Sequence, residues 1–235
     1  MDAPFPTAMM PDIQRFFADV HPRLRPGRGV YAEVFATELF FPLQRKRELA
    51  RMLDVAGQPV TVMEIGADKG GGLYHWCMLP SVRNVIACEI RGTPYMHEFE
   101  RAFPDIDFYW VQTSSYAVQN VERVAAWLKA RQLLLDVLFI DGDKTGMLKD
   151  FTAYKPLMQP GGVMFLHDVR DSGGPREAWA ALSQSYRTEH IVDESEYVEL
   201  RAHTDACADG RPLTPWEQWL LHWKGKSCTV GVVHP

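Results

Sequence analysis

Apolar positions along the chain alternate between two spacings. Short, nearly unbroken apolar runs at 60–65, 84–89, 106–112, 134–140 and 162–167 read as strands. Between them apolar residues recur at helical spacing over 70–79, 94–102, 117–131 and 146–157. A helix over 175–186 and strands at 188–192 and 228–233 complete the pattern. Strands that alternate with helices in this way predict parallel pairing with right-handed crossovers. The run from Leu133 to Ile140 is apolar at every position but Asp136, as expected of a strand covered on both faces, so it belongs at the centre of the sheet. The fold class predicted is α/β, a doubly wound, mostly parallel sheet in a single domain.

Three segments stand outside this alternation. Residues 1–30 carry prolines and one amphipathic patch, Ile13 to Val20, and read as an arm laid over the domain that occupies 31–235. From Ala32 to Val55 a helix is expected, with Leu43, Leu49, Met52 and Leu53 opposite Arg45, Lys46 and Arg51. At about 201–226 a tryptophan-rich helical insertion places Trp216, Trp219 and Trp223 on one face. That face reads first as packing on the chain's own core. A dimer contact and a substrate lid are the alternatives.

Composition narrows the class. At 235 residues, 46% hydrophobic and 23% charged, the chain fits one soluble globular domain. A formal charge of −5 offers no broad attraction to phosphate backbones, so a small molecule is expected as partner in place of nucleic acid. The first residues lack a basic stretch followed by an apolar one, and no run approaches the roughly 18 apolar residues of a membrane span. A cytoplasmic location without membrane partners is the expectation. Cys77, Cys88, Cys207 and Cys228 are scattered, which predicts neither a disulfide framework nor a zinc site.

The chemistry begins at Thr61-Val-Met-Glu64-Ile-Gly66-Ala67-Asp68-Lys-Gly70-Gly71-Gly72, a strand that runs into a glycine-dense turn. Glycine permits positive φ and close backbone approach, so the turn suits contact with a cofactor. A dinucleotide fingerprint needs glycine at the third position counted from Gly66, where this chain has Asp68, an acid that would repel a pyrophosphate. No Gly-Lys-Ser or Gly-Lys-Thr follows, so the phosphate-binding loop of nucleotide hydrolases is also excluded. A cofactor without phosphates fits. Glu89, closing the next strand, lies where nucleotide-binding βαβ units place a carboxylate for ribose hydroxyls. In an open parallel sheet, ligands bind beyond the carboxyl ends of the strands. There Glu64 to Gly72, Glu89, Gln112 to Ser115, Asp141 to Lys144, and His167 with Asp168 would converge.

Taken in order, Glu64-Ile-Gly66 with Gly70-Gly71, Glu89, Asp136 to Asp143, and Pro160-Gly-Gly to His167-Asp168 resemble class I S-adenosylmethionine-dependent methyltransferases. Within these, the chain is most similar to small-molecule O-methyltransferases of the cephalosporin hydroxylase-like, macrolide-sugar and catechol-type groups, over roughly residues 40–170. The resemblance implies a Rossmann-like seven-stranded sheet with one antiparallel strand in its edge region. It also implies S-adenosylmethionine as cofactor, contacted by Glu64, Gly66, Ala67, Asp68, Gly70, Gly71, Gly72, Glu89, Ser114 and Asp141. The methionine end would lie on the glycine turn, the ribose on Glu89 and the adenine near Ser114.

Asp141-Gly-Asp143-Lys144 resembles the run with which catechol- and caffeoyl-type enzymes bind a metal and supply a base. Those enzymes place an Asp-Asn pair where this chain has His167-Asp168, so Asp168 matches the second ligand and His167 departs from the pattern. Asp141, Asp168 and His167 are thus the expected ligands of a Mg²⁺ ion, a hard cation that prefers oxygen donors. Lys144 and His167 are the two candidate bases. A lysine needs a lowered pKa for that task, whereas a histidine titrates near neutrality untuned. His75, beside the glycine turn, is a candidate for the border of the acceptor pocket. The activity expected is methyl transfer to a hydroxyl of a small molecule. Transfer to nitrogen without a metal, and cofactor binding without transfer, are the rivals, and a homodimer is the macromolecular partner considered. No Gly-x-Ser-x-Gly elbow supports a serine hydrolase, and no iron triad supports an oxygenase.

Overall fold

The computed structural model describes residues 51–52, 54–68, 70–92, 96–169, 173–191 and 230–235. The expected arm at 1–30, most of the helix at 32–55 and the tryptophan-rich insertion lie outside the described residues.

Seven strands form one sheet in the order β3-β2-β1-β4-β5-β7-β6. They are β1 (Thr61–Ile65), β2 (Asn84–Cys88), β3 (Asp107–Val111), β4 (Leu135–Ile140), β5 (Met158–His167), β6 (Arg187–His190) and β7 (Val230–His234). β3, β2, β1, β4 and β5 pair in parallel, and β7 runs antiparallel between β5 and β6. This is the Rossmann-like, mostly parallel arrangement expected. The helices are α1 (Gly71–Met78), α2 (Met96–Ala102), α3 (Val118–Arg131), α4 (Met147–Tyr154) and α5 (Gly174–Ser183).

Successive strand residues point to opposite faces, and both faces are apolar. Val62, Val85, Val137, Phe139 and Phe165 pack with Leu73, Trp76 and Cys77 of α1 and Phe99 of α2. Met63, Ile65, Ile86, Leu138 and Ile140 pack with Val124 and Leu128 of α3, Phe151 and Tyr154 of α4, and Leu182 of α5. All five residues of β1 are buried, Thr61 and Glu64 among them, as expected of a strand covered on both faces. Cys77 and Cys88 are buried thiols outside any disulfide among the described residues.

Two local departures have clear causes. The helix read at 146–157 ends at Tyr154 and tightens into a 3₁₀ turn over Lys155–Leu157, because Pro156 cannot continue the α-helical ladder. β5 starts at Met158, ahead of the expected 162, since Leu135 pairs with Met158 before Val137 pairs with Val163. The extra residues bulge out around Gly161, whose φ is 83°. Asp136 braces this end of the sheet. Its Oδ2 accepts the amides of Val60 and Thr61, each at 2.7 Å, and its Oδ1 accepts the Gln159 side-chain amide.

Strand order reverses between β1 and β4, the chain stepping outward through β2 and β3 on one side and through β5 on the other. A crevice opens at the carboxyl ends of the strands where such a reversal occurs. The loops after β1, β2, β3, β4 and β5 all leave from that edge.

Candidate active site

The loop after β1 is set by three residues in the left-handed region, Gly66 (φ 87°), Asp68 (φ 42°) and Gly70 (φ 94°). It is held from outside by Cys88, whose carbonyl accepts the amides of Gly66 at 2.8 Å and Ala67 at 3.3 Å. At position 66 a side chain is excluded sterically as well. A Cβ there would stand 2.6 Å from the Asp141 carbonyl and from the Gly142 nitrogen. The loops after β1 and β4 thus touch backbone to backbone. Gly70 caps α1, and Tyr74 donates its amide to the Gly70 carbonyl at 2.9 Å. Gly71 opens the helix, and Gly72 is required by a neighbour: its Cβ would lie 2.5 Å from Oε1 of Glu64, a carboxylate buried in β1.

Glu89 ties the second loop to the first. Its Oε2 accepts the Asp68 amide at 3.1 Å and its Oε1 accepts the Arg91 amide at 3.1 Å, which leaves lone pairs free on a half-buried carboxylate. Ile90 follows, 68% exposed, an apolar surface beside that carboxylate. Sequence reading passed over Ile90, although an apolar residue directly after a strand-end acid was there to be seen. Ser114 lies in the loop after β3, where its carbonyl accepts Nδ2 of the buried Asn120 at 2.7 Å.

The loops after β4 and β5 bring Asp141, Lys144, His167 and Asp168 together. Lys144 Nζ bridges the two carboxylates, 2.5 Å from Asp141 Oδ1 and 2.7 Å from Asp168 Oδ2. His167 Nδ1 stands 3.2 Å from Asp141 Oδ1 and 3.1 Å from Asp168 Oδ1. Donor atoms of Asp141, His167 and Asp168 all lie within 4.8 Å of one another. The His167 side chain is only 4% exposed, whereas Lys144 is 38% exposed. Asp168 has φ 58°, a strained conformation for a residue with a side chain, and such strain is common at functional sites.

Charge follows from the geometry. Burial alone would push the Asp141 carboxyl up, but His167 and Lys144 overturn this and hold it well below the ordinary carboxylate range. Asp168 is lowered against its burial by the same two groups. For Lys144, burial works against the ammonium, and the two carboxylates more than compensate, so its pKa is raised. In this arrangement Lys144 is a hydrogen-bond donor with a firmly held proton.

Asp143 shares the loop of Asp141 but lies outside the cluster of Asp141, His167 and Asp168. Its Oδ1 accepts the Thr145 amide at 2.9 Å and hydroxyl at 2.8 Å, and its Oδ2 accepts the Tyr116 hydroxyl at 3.0 Å. It organises the turn into α4, and Tyr116, which sequence reading missed, comes from 27 residues away. His75 is buried on α1 with its ring edge-on to Tyr74.

Asp150, one turn into α4, is a fully buried carboxylate. Among the described residues neither of its oxygens has a well-formed hydrogen bond. Burial pushes its pKa up to about 6, and the nearby Ser115 hydroxyl offsets only part of that. Between the ordinary carboxylate value and about 6 the folded chain holds a proton the unfolded chain has lost, so stability falls as pH rises through that window. The total change is about 3 kcal/mol. Asp141 and Asp168 act in the opposite sense and only below the ordinary carboxylate range, outside this window. Asp150→Asn is therefore expected to flatten the slope between about pH 4.5 and 8 and to be the more stable chain at the upper end, by about 2 kcal/mol. Urea melts at the two pH values check this; an unchanged slope would contradict it.

Residues 63–169 match a family model described as a methyltransferase domain. No curated protein matches the sequence. The fold resembles that of an O-methyltransferase from Bacillus cereus, solved in complex with S-adenosylhomocysteine, with TM-score 0.55 and 14% identity over 94% of this chain and 96% of that one. It also resembles CalS11, a TDP-rhamnose 3'-O-methyltransferase of calicheamicin biosynthesis, with TM-score 0.50 and 13% identity over 80% and 90% of the two chains.

Proposed function

We propose that this chain is an S-adenosylmethionine-dependent methyltransferase of the Rossmann-like class that methylates a hydroxyl group of a small molecule at the Asp141, Lys144 and Asp168 cluster with help from a divalent cation. The observation that carries the reading is Lys144 Nζ held between two carboxylates directly beyond β4 and β5, in a loop whose Asp141 backbone packs against Gly66. A cation is what that pair of carboxylates is arranged to receive.

The cofactor fits the chemistry of the crevice. Asp68 and Glu89 make its mouth acidic, which suits a ligand with a sulfonium, an ammonium and ribose hydroxyls and opposes one with phosphates. Glu89 retains lone pairs for the two ribose hydroxyls, and Ile90 offers an apolar face to a purine. Gly66, Ala67, Asp68, Gly70, Gly71 and Gly72 form the backbone against which the methionine end would lie, with the buried Glu64 beneath them and Ser114 on the adenine side.

In the transfer an acceptor oxygen lone pair forms the bond to the methyl carbon as the sulfur–carbon bond breaks. The products are a methyl ether, S-adenosylhomocysteine and the hydroxyl proton, which a base takes. Asp141, Asp168 and His167 supply two carboxylates and an imidazole, a donor set fitting Mg²⁺ or a similar divalent ion, which would lower the pKa of the acceptor hydroxyl. Lys144 is the base in this reading, because the His167 side chain is buried behind the carboxylates it orients. Lys144 Nζ takes that proton only after its two carboxylate contacts are broken and its own proton has passed to solvent, since those contacts are what hold its pKa up and burial then lowers it.

One observation favours a second reading. Lys144 itself fills the cation position, so transfer without a metal, to nitrogen, is the alternative. Turnover measured after EDTA treatment and again after adding Mg²⁺ or Mn²⁺ separates them. Loss and recovery support the metal-assisted reading, and undiminished turnover in EDTA sinks it.

A further inference from the structure

The loop after β3 and the loop after β4 are not neighbours in the sheet, for β2 and β1 lie between their strands. At the usual strand spacing that separates the strand ends by about 14 Å. Even so, the two loops are joined directly. Tyr116 reaches across to donate its hydroxyl to Asp143 Oδ2 at 3.0 Å. Its ring covers Gly146, where a Cβ would stand 2.4 Å from Cε1, and Lys149 Nζ lies 4.9 Å from the ring centre on the side of α4. A second tie runs the other way, from the buried Tyr154 hydroxyl of α4 to the Ser115 carbonyl at 2.6 Å. Asp143, one residue before Lys144, is otherwise committed to Thr145, and its carboxyl is held below the ordinary range chiefly by the Thr145 hydroxyl.

We infer that Tyr116 and Asp143 are positioning residues, a latch that makes the adenine-side loop and the loop bearing Asp141 and Lys144 one mechanical unit. The inference rests on the reading of the site given above. Neither residue touches reacting atoms in this role. Asp143 fixes the backbone from which Lys144 projects, and Tyr116 transmits to it the placement of Ser114 and Ser115. The packing of Gly146 against the Tyr116 ring explains why the turn into α4 carries glycine at that position without any demand from φ.

The test is calorimetric titration of S-adenosylhomocysteine into the full chain and four variants at a temperature where all are folded. Tyr116→Phe keeps the ring on Gly146 and deletes only the hydrogen bond. Asp143→Asn keeps the shape and removes the charge. Each is expected to weaken binding roughly fivefold, and the double variant no further than the worse single one, because both break the same link. Thr145→Val, which removes a bond to the other oxygen of Asp143, is expected to stay within about twofold. A purely structural role would lower melting temperatures and leave these affinities alone. Single variants that bind as the wild type does, or losses that simply add, overturn the inference. A wild-type chain that fails to bind S-adenosylhomocysteine removes the reading of the site and this inference with it. Wild-type binding with unaltered variants removes the inference alone.

Discussion

Gly66→Ala is expected to abolish measurable binding of S-adenosylhomocysteine, a loss of roughly a hundredfold or more, and to cost the fold about 3 kcal/mol. Two penalties combine at this position. The backbone sits at φ 87°, where a residue with a Cβ is strained. The added carbon would also meet three backbone atoms of Asp141 and Gly142 at 2.6 Å. Those atoms cannot step aside, because the Asp141 amide is bonded to the Ile65 carbonyl at 2.8 Å and β1 and β4 pair immediately below. The loops after β1 and β4 must separate, and with them the glycine loop and the Asp141 cluster. Other glycines serve as internal controls. At Gly72 the clash is with the Glu64 carboxylate, a side chain that can turn, so Gly72→Ala is milder. At Gly161 φ is 83° but space is open, so only strain remains. Urea melts and calorimetry on the three variants should rank them in that order; equal effects would show that the contact between the two loops is unimportant.

Asp141→Asn is expected to lower kcat about a thousandfold while leaving the affinity for S-adenosylmethionine within severalfold. The backbone of Asp141, which holds the two loops together, is unchanged by this substitution, so the cofactor's bed survives. What is lost is the charge at the centre of the cluster, since Oδ1 of Asp141 faces both Lys144 Nζ and His167 Nδ1. Without it a metal loses one of its two carboxylate ligands and the Lys144 ammonium one of its two partners. Lys144, freed of one of the two carboxylates that raise its pKa, is expected to lose its proton at lower pH. The check is kcat and KM measured separately. A rise in KM for the cofactor with kcat preserved would move Asp141 from the chemistry to cofactor binding.

Much of this was legible in the residues. β4 was read at 134–140 and lies at Leu135–Ile140, because a strand covered on both faces must be apolar throughout and Ile140 is followed at once by Asp141 and Gly142. The convergence of Glu89, Asp141, Lys144, His167 and Asp168 was likewise readable. Each lies at or just beyond the carboxyl end of a strand, and parallel pairing sends those ends the same way. The misplaced start of β5 has a different origin. Pro160, Gly161 and Gly162 look like a loop in sequence, but Met158 pairs with Leu135 ahead of them, a long-range contact that no local pattern records. Asp143 stands in the same strand-end loop as Asp141, and nothing local in the sequence separates the directions of the two carboxylates. Which way it turns is decided by Thr145 and by Tyr116 on a distant loop. The steric demand at Gly72 is hidden in the same way, since it comes from the side chain of Glu64, eight residues earlier in β1.

The transfer itself is tested most directly with S-adenosylmethionine labelled with carbon-13 in the methyl group, incubated with the chain and a panel of hydroxylated and amine-bearing small molecules, the products being read by carbon NMR. Label in a methoxy carbon, absent when Asp141→Asn replaces the wild type, is the expected result. Label on nitrogen, or methoxy product formed equally well by Asp141→Asn, would contradict oxygen methylation at this cluster.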